Sequence, residues 1–264
     1  MTDPVRLWSV TTLIGAGTPK EALIGWAARV TAERAYDKAA TLDAMRQDGD
    51  RDAAIKWLTD ARWEKSGTAA LRGTNVHAII EQYALGNTPD VPDELEPWHQ
   101  QIRRFLDEHQ PEFEASEAPV YHLGLGYAGT MDMILKVDGV RVIVDAKTTE
   151  KGPDARSRPP YGEVALQLAA YSRAELVGLS PAVMRTHSGR RYYIYDESLE
   201  YAPMPEIEGA LALVISPVDY QLVTVRIDDE VYRAFLAVRE VARWNLSTSR
   251  SVFGPNITRT AAPA

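Results

Sequence analysis

The sequence contains no cysteine, which excludes disulfide bonds, thiolate zinc sites and iron–sulfur clusters held by cysteine. Any metal site must therefore use Asp, Glu, His or backbone oxygen ligands, a set that favours Mg²⁺ or Mn²⁺. No apolar run approaches the roughly 18 residues of a membrane span. The N-terminus also lacks the basic-then-apolar layout of a signal peptide. We therefore expect a cytoplasmic protein that does not associate with membranes.

Positive charge is in the minority, with 29 Lys and Arg against 37 Asp and Glu and a net charge of −8. This balance argues against a protein that coats nucleic acid. It does not exclude an enzyme with one local basic groove, because affinity depends on where the cations lie. The chain also lacks a Walker A motif, so no ATPase or helicase motor is predicted.

The order of predicted elements indicates an α/β protein with a mixed central sheet flanked by helices. We predict a single domain over residues 1–264, with a helical N-terminal part at 1–110 and an α/β core at 111–264. The predicted N-terminal helices are "TPKEALIGWAARVTAERAYDKAATLDAMR" with Thr18 as N-cap, "DRDAAIKWLTDARWEK", "TAALRGTNVHAIIEQYALG" and "EPWHQQIRRFLDEHQ". The predicted strands are "EFEASEAPVYHL", the two halves of "MDMILKVDGVRVIVDAKTT", "RRYYIYD", "ALALVIS" and "YQLVTVRI". A crossover helix closed by Gly178 lies between these strands, and a last helix follows them.

Residues 131–149 read as a β-hairpin around the Asp138-Gly139 pair. A two-residue type I′ turn needs positive φ at both central positions, and Asp-Gly is one of the preferred pairs. With this turn Val137 faces Val140, which fixes the register of both strands.

The register sets Asp132 opposite Asp145, at a position where facing Cα atoms are roughly 4.5 Å apart. Lys147 shares the face of Asp145, because strand side chains alternate. Like charges that face each other destabilise a sheet, and a divalent cation between them removes the conflict. The alternative is that Asp145 and Lys147 belong to a solvated face of an edge strand.

Other candidate residues each have a functional and a structural interpretation. Gln167 and Tyr171 are spaced i, i+4, so one helix face could direct both at the metal site or at DNA, or both could simply pack. His77 is a ligand or a core histidine, and Glu117 is a third carboxylate or an exposed strand residue. Arg72 precedes a glycine that permits close backbone approach, yet it could equally be an ordinary surface arginine.

Basic side chains offer two walls for a nucleic-acid channel. One wall would use a subset of the N-terminal cations nearest the His77 helix, and the other would use Arg156 and Arg158 in the proline-containing loop before Gln167. The N-terminal cations are Arg29, Arg34, Arg46, Arg51, Lys56, Arg62, Lys65 and Arg72. For most of them a solvated, salt-bridged helix surface is the simpler interpretation.

Taken in order, five motifs resemble the RecB-like branch of the PD-(D/E)XK nuclease superfamily, particularly phage-encoded recombination and repair exonucleases. The motifs are "GTNVHAIIE", "SEAPV", "YAGTMD", "IVDAKTT" and "QLAAY". The resemblance spans most of residues 9–172. Each motif is weak alone, and the ordered set is specific.

The resemblance implies a restriction-endonuclease-like core and a Mg²⁺- or Mn²⁺-dependent DNA exonuclease without an iron–sulfur cluster. The implied metal ligands are His77, Asp132, Asp145 and the main-chain carbonyl of Ala146. Lys147 would be the catalytic lysine, and Glu117 an accessory acid. Gln167 and Tyr171 would support the lysine and the DNA backbone.

Two other functions remain open at this point. One is a catalytically silent module that binds DNA ends or a partner protein, and the other is an endonuclease that cuts flaps or junctions. The complete set of Asp132, Asp145, Lys147 and Gln167 argues against the silent module, because pure binding does not need opposed carboxylates. The expected partner is DNA, at single- or double-stranded linear ends, and a recombination or single-strand-binding protein is a further candidate.

Overall fold

A computed structural model describes residues 5–150, 161–187 and 189–254. Within these ranges the α-helices are α1 (Val10–Gly17), α2 (Glu21–Asp37), α3 (Ala39–Gln47), α4 (Arg51–Ala84), α5 (Glu96–His109), α6 (Gly162–Ser172) and α7 (Asp229–Leu246). The strands are β1 (Val5–Ser9), β2 (Glu112–His122), β3 (Tyr127–Val137), β4 (Val140–Thr148), β5 (Leu176–Gly178), β6 (Val183–His187), β7 (Arg190–Tyr195), β8 (Tyr201–Pro203), β9 (Gly209–Ile215) and β10 (Tyr220–Val225). None of the described helices has the length and apolarity needed to cross a membrane.

The strands form one mixed sheet in the order β10-β9-β4-β3-β1-β7-β6, and β2 pairs with β3 and with β5 outside this path. The β1–β3 and β4–β9 pairs are parallel, and the other pairs are antiparallel. One large apolar cluster joins the sheet to α1, α6 and α7, and a second joins it to α4 and α5. The predicted mixed sheet flanked by helices is therefore confirmed, and its layout is consistent with a restriction-endonuclease-like fold.

The predicted hairpin turn is confirmed by the backbone. Asp138 and Gly139 have φ angles of 51° and 79°, the two positive values that a type I′ turn requires. Pairing continues from Val137–Val140 in the predicted register as far as Met133–Val144. The Asp-Gly turn thus fixes the register of β3 and β4, two strands near the centre of the sheet.

One edge of β3 is shared by two strands, and this division positions the candidate site. Near its start β3 pairs with β1 at Tyr127 and Ala128, and β4 pairs with it only from Met133 onward. The β3 residues 129–132 fall between these two ladders. The sheet therefore opens beside Asp132, where side chains can enter the space between strands.

Several predicted boundaries are wrong. Residues 1–110 contain a strand, β1, which precedes α1 and pairs within the central sheet. Thr18 ends α1 instead of capping α2, because its hydroxyl donates to the Ile14 carbonyl. The two helices predicted between residues 50 and 86 are the single 34-residue helix α4. Gly178 ends strand β5, since the crossover helix already stops at Ser172.

Helix α1 packs against α7 so closely that one of its glycines has no room for a side chain. A Cβ added to Gly17 would lie 2.8 Å from Val238 Cγ1 and closer still to the Val238 carbonyl oxygen, whereas Gly15 faces open space. Gly17→Ala should destabilise the protein by about 1–3 kcal/mol through overpacking. Gly15→Ala should be neutral or stabilising by up to about 1 kcal/mol, because alanine favours the helix. Urea unfolding measures both, and equal stability of the two variants would contradict this packing.

Candidate active site

The candidate site begins where the β3–β4 ladder ends. Beyond the Met133–Val144 pair, the Asp132 side chain replaces the strand: its Oδ2 accepts a 2.7 Å hydrogen bond from the Ala146 backbone N–H. The predicted direct pairing of Asp132 with Asp145 is therefore wrong. The Asp132 carboxylate lies in the gap between β3 and β4. It accepts the Ala146 N–H, which in a regular ladder would donate to a backbone carbonyl of β3.

The sheet also changes its pleat at this point. Met131 and Ile134, an odd and an even position of β3, both pack in the apolar cluster beneath α6 and α7. A regular strand would place them on opposite faces. On β2, Glu117 has a backbone φ angle of +47°, which residues other than glycine rarely adopt. Strands β2 and β3 are thus both irregular at this point, and the carboxylates of Glu117 and Asp132 lie there.

Helix α4 brings His77 to these two carboxylates. Its Nδ1 lies 3.0 Å from Glu117 Oε1, and its Nε2 lies 3.7 Å from Asp132 Oδ2. The Nε2 also lies 3.0 Å from the Ala146 carbonyl oxygen. The His77 side chain is 25% exposed, so it is not enclosed in apolar packing as the core-histidine interpretation required. We call His77, Glu117 and Asp132 the histidine–carboxylate cluster.

Protonation in the cluster follows from this crowding. Burial of His77 lowers its pKa, but the Glu117 hydrogen bond and the charges of Asp132 and Glu117 outweigh burial and raise that pKa to about 9. Burial raises the pKa of Asp132 to about 6, with Asp145 adding to the rise and His77 opposing it. At neutral pH an imidazolium therefore balances the carboxylates while no metal is bound.

Asp145 lies beside the cluster and has different partners. Gln167 Nε2 donates to its Oδ1 at 3.1 Å, so α6 orients this carboxylate. Lys147 Nζ lies 2.5 Å from its Oδ2 but is not aligned for a hydrogen bond. Oδ2 is thus a buried oxygen without a hydrogen-bond partner among the described residues. A buried carboxylate oxygen needs a neighbouring positive charge, and the Lys147 ammonium supplies one.

These donors suit a divalent cation. One ligand atom from each member of the histidine–carboxylate cluster lies within 4.8 Å of the other two. Asp145 Oδ2, which is ion-paired with Lys147, and the Ala146 carbonyl oxygen are two further oxygen donors beside the cluster. Oxygen with one imidazole is a set that Mg²⁺ or Mn²⁺ accepts. The resemblance implied only an accessory acid at Glu117. In the structure Glu117 contacts His77 directly, with 3.0 Å between Oε1 and Nδ1.

A family model described as the PD-(D/E)XK nuclease superfamily matches residues 31–244, most of the chain. The chain belongs to the PD-(D/E)XK nuclease superfamily. Membership implies a metal-dependent nuclease that hydrolyses DNA. A search of curated proteins gives no significant match. The geometry agrees with this membership, because Asp132 lies on β3 and the Asp145-Ala146-Lys147 triplet lies on the adjacent strand β4.

In this nuclease the Tyr171 ring packs beneath the site, against Gly129 on β3, and does not reach the protein surface. The Tyr171 side chain is buried, and a Cβ added to Gly129 would lie 2.7 Å from its hydroxyl oxygen. The expected support of the DNA backbone by Tyr171 stays a prediction, although the buried ring leaves almost no surface for direct contact with DNA. Gly129 was missed as a site residue. A glycine inside a strand pattern is itself a signal of close approach, and it could have indicated this contact.

The structure describes one of the three predicted DNA-contacting arginines, Arg72. Arg72 is ion-paired with Glu150 at 2.8 Å and stacks on Trp98, with 14% of its side chain exposed. It lines a cavity that begins just beyond Lys147, at Thr148. Arg156 and Arg158 lie outside the described residues.

Proposed function

We propose that this nuclease is a Mg²⁺- or Mn²⁺-dependent DNA exonuclease of the RecB-like branch, acting at linear DNA ends in phage-type recombination, repair or replication. The histidine–carboxylate cluster beside Asp145 and Lys147 carries the proposal. His77 supports the RecB-like assignment, because a helix histidine approaches the carboxylates as the resemblance implies. A cytoplasmic location and a recombination or single-strand-binding partner belong to the same proposal.

The residues that would hold the metal are those whose donors remain available at the strand gap. They are His77, Glu117, Asp132, Asp145 and the carbonyl oxygen of Ala146. When bound, a divalent cation polarises a phosphoryl oxygen and lowers the pKa of water.

The protein's own groups position the reactants around that site. Lys147 has a side chain that is 43% exposed, so its ammonium can contact substrate while its charge remains next to Asp145. From there it orients a water or stabilises negative charge that develops on the phosphate. Gln167 holds the Asp145 carboxylate in one orientation through Oδ1, so Oδ2 faces the Lys147 ammonium and is not used by Gln167.

End-labelled linear DNA and covalently closed circular DNA test this proposal together. With Mg²⁺, an exonuclease should degrade the linear substrate progressively and leave the circle intact. Cleavage of the circle or of internal junctions would instead favour a structure-specific endonuclease. DNA binding without hydrolysis under any divalent metal would favour the silent end-binding module.

Metal binding should depend strongly on pH, because His77 binds metal only in its neutral form. With the pKa of His77 at about 9, Mn²⁺ affinity should rise about tenfold per pH unit between pH 7 and 8.5 and level off above pH 9. An unperturbed imidazole would place this window near pH 6.5. His77→Gln should weaken binding and remove the dependence in this window. Calorimetric titration with Mn²⁺ measures both, with His187→Gln on the exposed strand β6 as the control.

Whereas Mn²⁺ affinity should rise with pH, the stability of the metal-free protein should fall. A folded-state pKa raised from 6.5 to about 9 stabilises the fold below pH 6.5, and that contribution is lost as the pH rises through 9. The melting temperature should therefore fall between pH 6.5 and 9 in the wild type and change less in His77→Gln. Parallel curves for the two proteins would contradict the role given to His77.

A further inference from the structure

A cavity of about 770 Å³ lies beside the candidate active site, between α2, α4 and the end of β4. Thr148 contributes to its wall and directly follows Lys147 in the chain. The cavity wall therefore begins one residue after Lys147 on β4. Nothing in the metal site or in the proposed chemistry requires this space.

The walls of the cavity carry apolar and aromatic side chains, of which Leu23 and Tyr161 are exposed and Trp26 is half-buried. Leu23 and Trp26 come from α2, and Tyr161 comes from the residue that precedes α6. Leu23 is 54% exposed and Tyr161 is 73% exposed. Exposed aromatic groups in a concave surface, next to a reaction centre, indicate a ligand with flat faces.

Cations lie among these apolar groups. Lys20 pairs with Glu163 at 3.1 Å, and Lys65 pairs with Glu33 at 3.3 Å. The Lys20 side chain is 41% exposed and the Lys65 side chain 56%. Exposed ion pairs contribute little to stability, so exchanging a carboxylate for a phosphate has a small cost. The cavity therefore offers stacking surfaces together with cations that can exchange their partners.

We infer that this cavity binds an unpaired segment of the DNA strand that is cleaved, with its bases stacked on Trp26 and Tyr161 and its phosphates near Lys20 and Lys65. The inference rests on the proposed function and specifies its substrate as a single-stranded end. Bases can stack on protein rings only when they are unpaired, and a positive groove with aromatic platforms is how single strands are bound. Cavities of about 300–1,000 Å³ enclose small ligands, a size that suits one or two nucleotides and not a duplex.

Binding without cleavage tests the inference. In the presence of chelator, fluorescence anisotropy should show tighter binding of a labelled oligothymidylate than of a blunt hairpin duplex with the same number of phosphates. Replacing Trp26 and Tyr161 together with alanine should weaken oligothymidylate binding about tenfold or more, because each base–ring stack contributes appreciably. Duplex binding should change less than twofold. Trp63→Ala is the matched control, since Trp63 is 62% exposed on α4 and does not line the cavity.

Two results would overturn the inference. One is oligothymidylate binding by the double variant that equals binding by Trp63→Ala. The other is a duplex preference in the wild type. Neither depends on catalysis, so a protein that degrades linear DNA but shows either result would keep the proposed function and lose this substrate assignment. A protein that passes the binding test but hydrolyses no DNA would lose the proposed function alone.

Discussion

Asp132→Asn should lower metal-dependent DNA cleavage by about 10³-fold or more, because a lost metal ligand removes several kcal/mol of transition-state stabilisation. Metal-free thermal stability should stay the same or rise. Burial raises the pKa of Asp132 to about 6, so the ionised carboxylate is unfavourable there, and a neutral amide removes that burden. The asparagine oxygen can still accept the Ala146 N–H.

The matched control for this substitution lies in the same hairpin. Asp138→Asn makes the same chemical change at an exposed turn residue with positive φ, where asparagine is equally suited. It should retain wild-type cleavage and stability. Single-turnover cleavage with Mg²⁺ and thermal melting of both variants give the comparison. Wild-type cleavage by Asp132→Asn would show that the metal site is misassigned.

Lys147→Ala should lower cleavage by about 10²-fold or more while the protein keeps its stabilisation by Mn²⁺. Lys147 lies next to the buried Asp145 oxygen and its side chain is 43% exposed, so it can act on water or phosphate without being a ligand. Without the lysine, Asp145 lacks its neighbouring cation, and a bound metal should then stabilise the fold at least as much as in the wild type. Melting curves with and without Mn²⁺, beside single-turnover cleavage rates, separate these two effects.

The lysine on the partner strand provides the control. Lys136→Ala removes an ammonium that pairs with Glu114 near the hairpin tip, and it should leave cleavage near the wild-type rate. If Lys147→Ala instead lost metal stabilisation together with activity, Lys147 would serve mainly to hold Asp145 in place.

The hairpin register could be predicted from sequence because its determinants are local. An Asp-Gly pair selects the turn, and the turn fixes every facing pair from Val137–Val140 to Met133–Val144. The i, i+4 spacing of Gln167 and Tyr171 likewise predicted one shared helix face. In the structure both side chains point toward the hairpin, with Gln167 bonded to Asp145 and Tyr171 packed on Gly129.

The departure of Asp132 from the ladder could not be predicted in the same way. It depends on β1, a five-residue strand distant in sequence, which takes the edge of β3 just before β4 joins it. Five residues leading directly into a helix carry little periodicity of their own, so the sequence pattern does not separate β1 from the helical region that follows. The unusual backbone of Glu117 could not be predicted either, because only tertiary contacts maintain a glutamate at φ of +47°.

The protonation state of the site is also a tertiary property. An isolated imidazole titrates near pH 6.5, whereas His77 is surrounded by Glu117, Asp132 and the Ala146 carbonyl oxygen, which belong to three different strands. No sequence spacing encodes that arrangement. The resemblance supplied His77 as a candidate ligand, and the pH range in which it releases its proton follows from the fold.

Anomalous difference density from crystals grown or soaked with Mn²⁺, recorded on and off the manganese edge, tests the central assignment most directly. We expect a peak in contact with Asp132, His77 and the Ala146 carbonyl oxygen, with the Asp145 or Glu117 carboxylate completing the ligands. The peak should be missing in Asp132→Asn crystals treated in the same way. Manganese bound away from the gap between β3 and β4, with that gap empty at saturating Mn²⁺, would contradict the assignment of this metal site.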